Sequence, residues 1–266
     1  MFAAILYSCE TWGNVDEIAE QLLTMERKAL KCCLGVKSSV PNDIIYHELN
    51  IPDVIAKIRK QQQSFFAKTM MLEPDEAIIR QLVDRFSADE EYCQDEDSFL
   101  AYYLRLQNDH MNSTTSANNI VESNILERKE RLQSGATTKI ALYKEITNLE
   151  YNQVLYRSFV NDELREIITR WRLSCHKLRI ETGRYTNPIT PREERKCRIC
   201  QVVEDETHAL FHCAAHTFIR LKFFSLICVY NTVSLILNPQ NSDDVVKIAT
   251  YISELEKNML KLKMCT

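Results

Sequence analysis

Residues 197–213 read CRICQVVEDETHALFHC. Cys197, Cys200, His208 and Cys213 are spaced C-x2-C-x7-H-x4-C. Thiolates and a neutral imidazole bind Zn²⁺ tetrahedrally, at about 2.3 and 2.0 Å. Two Cys separated by two residues let one tight turn aim both sulfurs at one ion, and the return segment supplies the other two ligands. Four protein ligands leave no open position, so the spacing predicts a structural zinc knuckle rather than a catalytic site. His212 offers an alternative fourth ligand. If 208–212 is helical, His208 and His212 lie one turn apart on one face, and Cys213 must turn off the helix end to reach the ion. The thiolate is the stronger ligand, which favours Cys213 with His212 second.

Outward from the knuckle, the composition predicts helices. The chain has 266 residues but only 4 Gly and 6 Pro, little material for β-turns. Its 45% hydrophobic and 26% charged residues are ordinary for a globular chain. No run approaches 18 apolar residues, so no membrane span is expected. Phe2 to Leu6 lacks the basic flank of a signal peptide. The other Cys of the 10 are irregularly spaced, which together with the zinc motif favours a reducing, intracellular setting, nucleus or cytoplasm.

Net charge is −4, yet the distribution is polarised. From Arg165 to Arg198 there are ten basic residues against four acidic ones. From Glu73 to Asp97 ten acids face only Arg80 and Arg85. The basic segment leads directly into the knuckle, and a local patch matters more to phosphate binding than the total charge.

Helical periodicity runs through most of the chain. Val15–Leu34 carries Ile18, Leu22, Met25, Ala29 and Cys33 on one stripe, with Asn14 as cap and Gly35 as stop. Pro41 suits a short helix through Leu49 and Pro52 opens the next, with Val54, Ile58, Phe65 and Thr69 on one side. Another short helix is expected after Pro74, through Phe86. The polar stretch Asn108–Asn124 reads as a linker between residues 1–107 and 125–266. Beyond it the pattern predicts helices at 125–132, 137–155, 160–179, 217–230 and 243–263, the last with Val245, Ile248, Ile252, Leu255, Met259 and Leu262 on one stripe.

Several chemistries have no residues to carry them. No glycine-rich phosphate loop, dinucleotide fingerprint or nucleophile elbow is present. Asp243-Asp244 follows Ser242 at an expected helix start, where acids complement the helix dipole. Catalytic residues are therefore expected to be absent.

The block before the knuckle resembles the C-terminal part of non-LTR (LINE-type) retrotransposon reverse transcriptases. It runs through Arg172-Leu173-Ser174-Cys175-His176-Lys177-Leu178, Ile180-Glu181-Thr182-Gly183-Arg184-Tyr185, Arg192 and Arg195. Cys197, Cys200, His208 and Cys213 match that family's zinc ligands. The start, Leu6-Tyr7-Ser8-Cys9-Glu10-Thr11-Trp12, is similar to the helix that opens the thumb, with Ser8 where the family commonly carries Gly. Leu34-Gly35-Val36 and Pro41 to Leu49 are similar to the family's segment after that helix. The resemblance implies an all-α chain, a thumb-like region over 1–107 and a C-terminal helical region holding the knuckle. It implies a nucleic-acid partner, RNA or DNA, and the rest of a longer reverse transcriptase as a further one. The paired catalytic carboxylates of the palm would lie upstream of Met1, so this chain is expected not to polymerise, as a truncated copy or the tail of a longer frame. Arg172, Lys177, Arg179, Arg184, Arg192, Arg195, Lys196 and Arg198 are the expected phosphate contacts. His176 and Tyr185 are expected to stack or hydrogen-bond, and Glu181 to orient Arg179 or Arg184. The competing expectation is a zinc-stapled helical interaction scaffold or an inert remnant.

Overall fold

Gly35 sits where the first helix must stop, and the backbone there explains why. In the computed structural model, which describes residues 6–9, 12, 15–73, 78, 80, 81, 85, 117–157 and 161–264, helix α1 spans Asp16–Cys33. Gly35 takes φ +63°, its N–H reaches Cys32 O and the Val36 N–H reaches Lys31 O, both at 3.0 Å. This paired capping of orphan carbonyls needs a left-handed residue, which glycine supplies without strain. The next helices are α2 (Asn42–Leu49), α3 (Val54–Met71), α4 (Ala117–Ser134), α5 (Thr138–Thr147), α6 (Gln153–Arg157) and α7 (Asp162–Arg172). Then come α8 (Arg179–Thr182), α9 (Thr217–Lys222), α10 (Phe224–Val229), α11 (Val233–Ile236) and α12 (Ser242–Met264). Among the described residues no strand forms, and one isolated bridge joins Lys196 to Val203. The fold is all-α.

The chain divides into two compact units, and neither is continuous in sequence. One comprises Met1–Ala29 and Asn50–Glu130, the other Leu30–Leu49 and Arg131–Thr266. Of the expected linker at 108–124, residues 117–124 are the first turns of α4, and 108–116 lie outside the described residues, as do Asn14 and most of the stretch expected to be helical after Pro74.

In the first unit, the start of α1 packs Ala19, Leu22 and Leu23 against Val15, Val54, Ile55 and Ile58. Of the expected stripe, Leu22 packs inward, whereas Ile18 and Met25 face water, 39% and 50% exposed. The true inward line passes through Glu26, a polar residue that a hydrophobic count skips. Its buried carboxylate accepts from the Val54 N–H at 2.7 Å and from Lys57 at 3.1 Å, serving the open N-terminus of α3. Asp53 caps the same end, accepting from the Ala56 N–H at 2.9 Å. Asn124 and Arg128 on α4 bond the other oxygen of Asp53.

In the second unit, α7 packs along α12 around Ile168, Trp171, Ile248, Ile252 and Leu255. Trp171 donates its indole N–H to Glu256 at 2.9 Å. The expected α12 stripe is buried from Val245 to Met259, and Asp243 and Asp244 occupy its first turn. Three expected helices are shorter or broken. The one over 137–155 breaks at Asn148 and Leu149, both at positive φ. The one over 160–179 ends at Arg172, because Ser174 adopts φ +51° and the Cys175 N–H caps Arg170 O at 2.7 Å. The one over 217–230 divides at Phe223.

One polar network lies inside this apolar unit. Arg172 Nε and Nη2 donate to the Glu48 carboxylate at 2.5 and 3.0 Å, and both side chains are essentially inaccessible to water. Nη1 donates to Leu237 O at 2.6 Å and to Asn238 Oδ1. Tyr143 and Tyr156 each donate a hydroxyl to Glu48 at 2.7 Å. His47, given no role by its sequence context, holds Tyr143 OH and Leu149 O within 2.9 and 3.2 Å of its ring nitrogens. Burial alone would raise the pKa of Glu48, but the Arg172 guanidinium and the hydrogen bonds from Arg172, Tyr156 and Tyr143 hold it below its ordinary value.

Glu48→Ala strands a buried guanidinium and is expected to cost about 3–5 kcal/mol in urea unfolding, while pairing Glu48→Leu with Arg172→Met costs less. An equal cost would argue against the pair. Because Glu48 is depressed in the folded state, its contribution is present above about pH 4.5 and is lost as pH falls through the lowered folded value. The urea midpoint should fall with acid more steeply in the wild type than in Glu48→Gln.

Candidate metal centre and basic surface

The Cys197–Cys200 turn is built by its backbone. Cys197 donates its N–H to Val202 O at 2.7 Å and accepts from the Gln201 N–H at 2.9 Å. Gln201 takes φ +59° to close the loop. On the return, Asp205 Oδ1 accepts the His208 N–H at 2.8 Å and starts a helical turn. That turn is wide: the Cys213 N–H bonds His208 O at 2.8 Å, a five-residue step, through His208–His212. Cys213 then leaves it in extended conformation, φ −60° and ψ 122°.

The ligand atoms of Cys197, Cys200, His208 and Cys213 all lie within 4.8 Å of one another. His212 is exposed and outside this group, so the alternative it offered gives way to Cys213. The wide turn is the reason: with five residues from N–H to carbonyl, position 213 returns toward His208.

The donor set fits a cation. A tetrahedral ion about 2.3 Å from each sulfur sets sulfurs about 3.8 Å apart. Sγ of Cys213 stands 3.8 Å from that of Cys197 and 3.9 Å from that of Cys200. His208 Nε2 is buried with no hydrogen-bond partner, a cost a protein rarely carries without a ligand. Burial holds His208 below its usual pKa, keeping its imidazole neutral. Burial and the neighbouring sulfurs push the Cys213 thiol up to about 12. Three thiols this close ionise together only around a positive ion. The Ala214 N–H lies 3.3 Å from Cys200 Sγ, a donor that suits a metal-bound sulfur.

The basic segment divides. Arg172 is sequestered by Glu48, so it offers nothing to a phosphate. His176 is also buried, with Nε2 2.6 Å from Glu206 and its ring against Trp171. Arg195 donates Nε to Thr190 O and Nη1 to Ile180 O, both at 2.8 Å, and lies against Gly183, where an added Cβ would meet its side chain at 2.8 Å. Arg184 pairs with buried Glu181 at 3.1 Å, as expected of Glu181. Arg179 is half-buried beside the knuckle, with its N–H on Glu204 at 2.8 Å. Lys177, Arg192, Lys196 and Arg198 are exposed, as is Tyr185. Sequence reasoning does not find Glu206, Lys139 and Lys37 as neighbours of this segment. Lys139 reaches Glu181 at 2.7 Å, a partnership between distant parts of the chain that no local pattern signals.

No family model, no curated protein and no solved structure matches the chain.

Cys213→Ser and His208→Ala are expected to abolish stoichiometric metal in the purified protein, measured by elemental analysis, and His212→Ala to retain it. Loss of metal in His212→Ala with retention in Cys213→Ser would reverse the ligand assignment.

Proposed function

We propose that the chain is a nucleic-acid-binding C-terminal part of a non-LTR retrotransposon reverse transcriptase, stapled by a structural Zn²⁺ and without polymerase residues of its own. The observation that carries this reading is the exposure of Arg192, Lys196 and Arg198 on the segment that leads into the Cys/His cluster. Cations held on a fixed loop attract a polyanion with little ordering cost of their own. Zinc suits three thiolates and one imidazole, and as a closed site it would supply folding energy rather than chemistry. Two-metal phosphoryl transfer needs facing carboxylates. Asp243 and Asp244 instead occupy the first turn of α12, with Asp244 bonded by Asn241 and Tyr230.

A second reading, a protein-interaction scaffold, draws on one observation. Phe218, Leu221, Phe224 and Val229 on α9 and α10 are all more than half exposed, and an apolar group of that kind often marks a contact surface.

Salt separates the two. Binding of labelled RNA and DNA, followed by fluorescence anisotropy, should weaken log-linearly with salt, by about 0.7 in slope per phosphate contact on single strands. Replacing Arg192, Lys196 and Arg198 with Gln should lower that slope by roughly 2 if each makes one contact. Arg184 and Arg195 are poor choices because both are bonded internally. A folded, zinc-loaded chain that binds neither polymer at low salt defeats the proposal.

A further inference from the structure

Glu181 is buried, yet three side chains converge on its carboxylate. Lys139 Nζ lies 2.7 Å away, Arg184 Nε 3.1 Å away, and the Tyr185 hydroxyl donates at 3.1 Å. This clamp fixes Tyr185 by its polar end. The residue as a whole is 53% exposed. Two ammonium groups flank it, Lys37 at 5.6 Å and Lys139 at 5.8 Å from the centroid. Lys37 comes from the turn after α1, which the Gly35 cap and the Lys31 bond to Ser38 O at 2.9 Å hold in shape. Lys37 is exposed. Lys37, Lys139 and Arg184 gather around the ring and the buried carboxylate of Glu181, and Glu206 lies close enough to Arg184 to feel its charge.

We infer that Tyr185 and Lys37 form a stacking site for an unpaired base of single-stranded nucleic acid. The ring takes the face of the base and Lys37 the adjoining phosphate. The inference rests on the nucleic-acid reading and narrows it. A duplex hides its base faces and could use only the cations, whereas a single strand offers both a π-face and a phosphate within one nucleotide. The hydroxyl clamp holds the ring before a base arrives, so little ordering remains to be done on binding. The Lys37 ammonium sits on a flexible four-carbon stem, so it can swing from the ring to a phosphate as a base comes in. Lys139, tied to Glu181, stays behind and keeps the local potential positive. Replacing Tyr185 removes an exposed cation–π contact, which contributes little to folding, and one of three partners of Glu181, whose carboxylate keeps Lys139 and Arg184.

The test uses the full zinc-loaded chain with labelled oligo(U), oligo(dT) and a duplex, each about 12 nucleotides long. Tyr185→Leu should weaken single-strand binding about tenfold while duplex affinity stays within about twofold. Tyr185→Trp should restore it. Lys37→Gln should lower the single-strand salt slope by about 0.7. A deficit shared by both single strands assigns the site to the base and phosphate, and one confined to oligo(U) assigns it to RNA. Metal content and urea midpoint confirm that each variant is folded. If Tyr185→Leu binds single strands as the wild type does, the stacking site is wrong although the chain binds nucleic acid. If the wild type binds none of the three, the inference falls together with the reading beneath it.

Discussion

The second unit depends on the buried ion pair between Glu48 and Arg172. Removing two charges from water costs several kcal/mol each, and their attraction offsets this only when the remaining donors and acceptors are satisfied. Here Tyr143 and Tyr156 each give a hydroxyl to the carboxylate, while Leu237 O and Asn238 take the guanidinium's other nitrogen. Asn238 in turn donates to Ile146 O and Ser234 O. The pair thus connects α2, α5, α6, α7 and the turn after α11. Its partners are 124 residues apart in sequence, which is why Leu30–Leu49 folds with the C-terminal half rather than with its own neighbours. An apolar core could have packed in other registers. A charge with one acceptable partner cannot, and it sets which helix meets which.

The Cys/His cluster that could hold a metal ion is assembled on that frame. Arg172 ends α7, Ser174 turns the chain, and His176 then meets Glu206 two residues before His208. Glu204 bonds the backbone of Arg179 and Ile180, and its own N–H reaches Arg195 O at 2.8 Å. The loop carrying Cys197 is therefore tied at both ends to the segment before it. At its other side, Tyr251 on α12 donates to Leu210 O, and Asn258 to Ala215 O at 2.9 Å. The basic segment carries out two jobs at once. Arg172 and Arg195 bind inward, where a planar fork satisfies several acceptors, Arg184 pairs with Glu181, and Arg192, Lys196 and Arg198 remain at the surface.

Local patterns are legible in the sequence, and partnerships are not. The Cys197, Cys200, His208 and Cys213 cluster, which could hold a metal ion, follows from spacing because it is built within a short stretch of chain. Gly35 and the α12 stripe follow from rules that span one or two turns. The breaks at Leu149 and Ser174 escape a sequence reading because neither residue type advertises the positive φ it holds there, whereas Asn148 is a type that tolerates the left-handed cap it forms. The α1 stripe misleads because its inward face contains Glu26, whose burial makes sense only once α3 presents an uncapped end to it. Arg172 reads as a surface cation and His176 as a stacking or hydrogen-bonding contact for a related reason: a buried side chain and an exposed one share the same letter. Their acidic partners, Glu48 and Glu206, stand 124 and 30 residues away.

A bound ion would change the electrostatics of the basic segment. Three thiolates, one neutral imidazole and a divalent cation sum to a single negative charge, and a site's potential is incomplete without its ion. Lys196 and Arg198 flank Cys197 directly, and Arg179 and Glu204 stand beside it. Part of their positive charge would therefore be neutralised by the cluster and lost to a ligand. Arg192 lies outside that group, lining a separate cleft with Arg184, and Lys37 lies beside Tyr185. If the chain holds a polyanion, its strongest grip is then expected away from the metal, on the side where Tyr185, Lys37 and Lys139 gather, with the metal fixing the geometry and contributing no attraction.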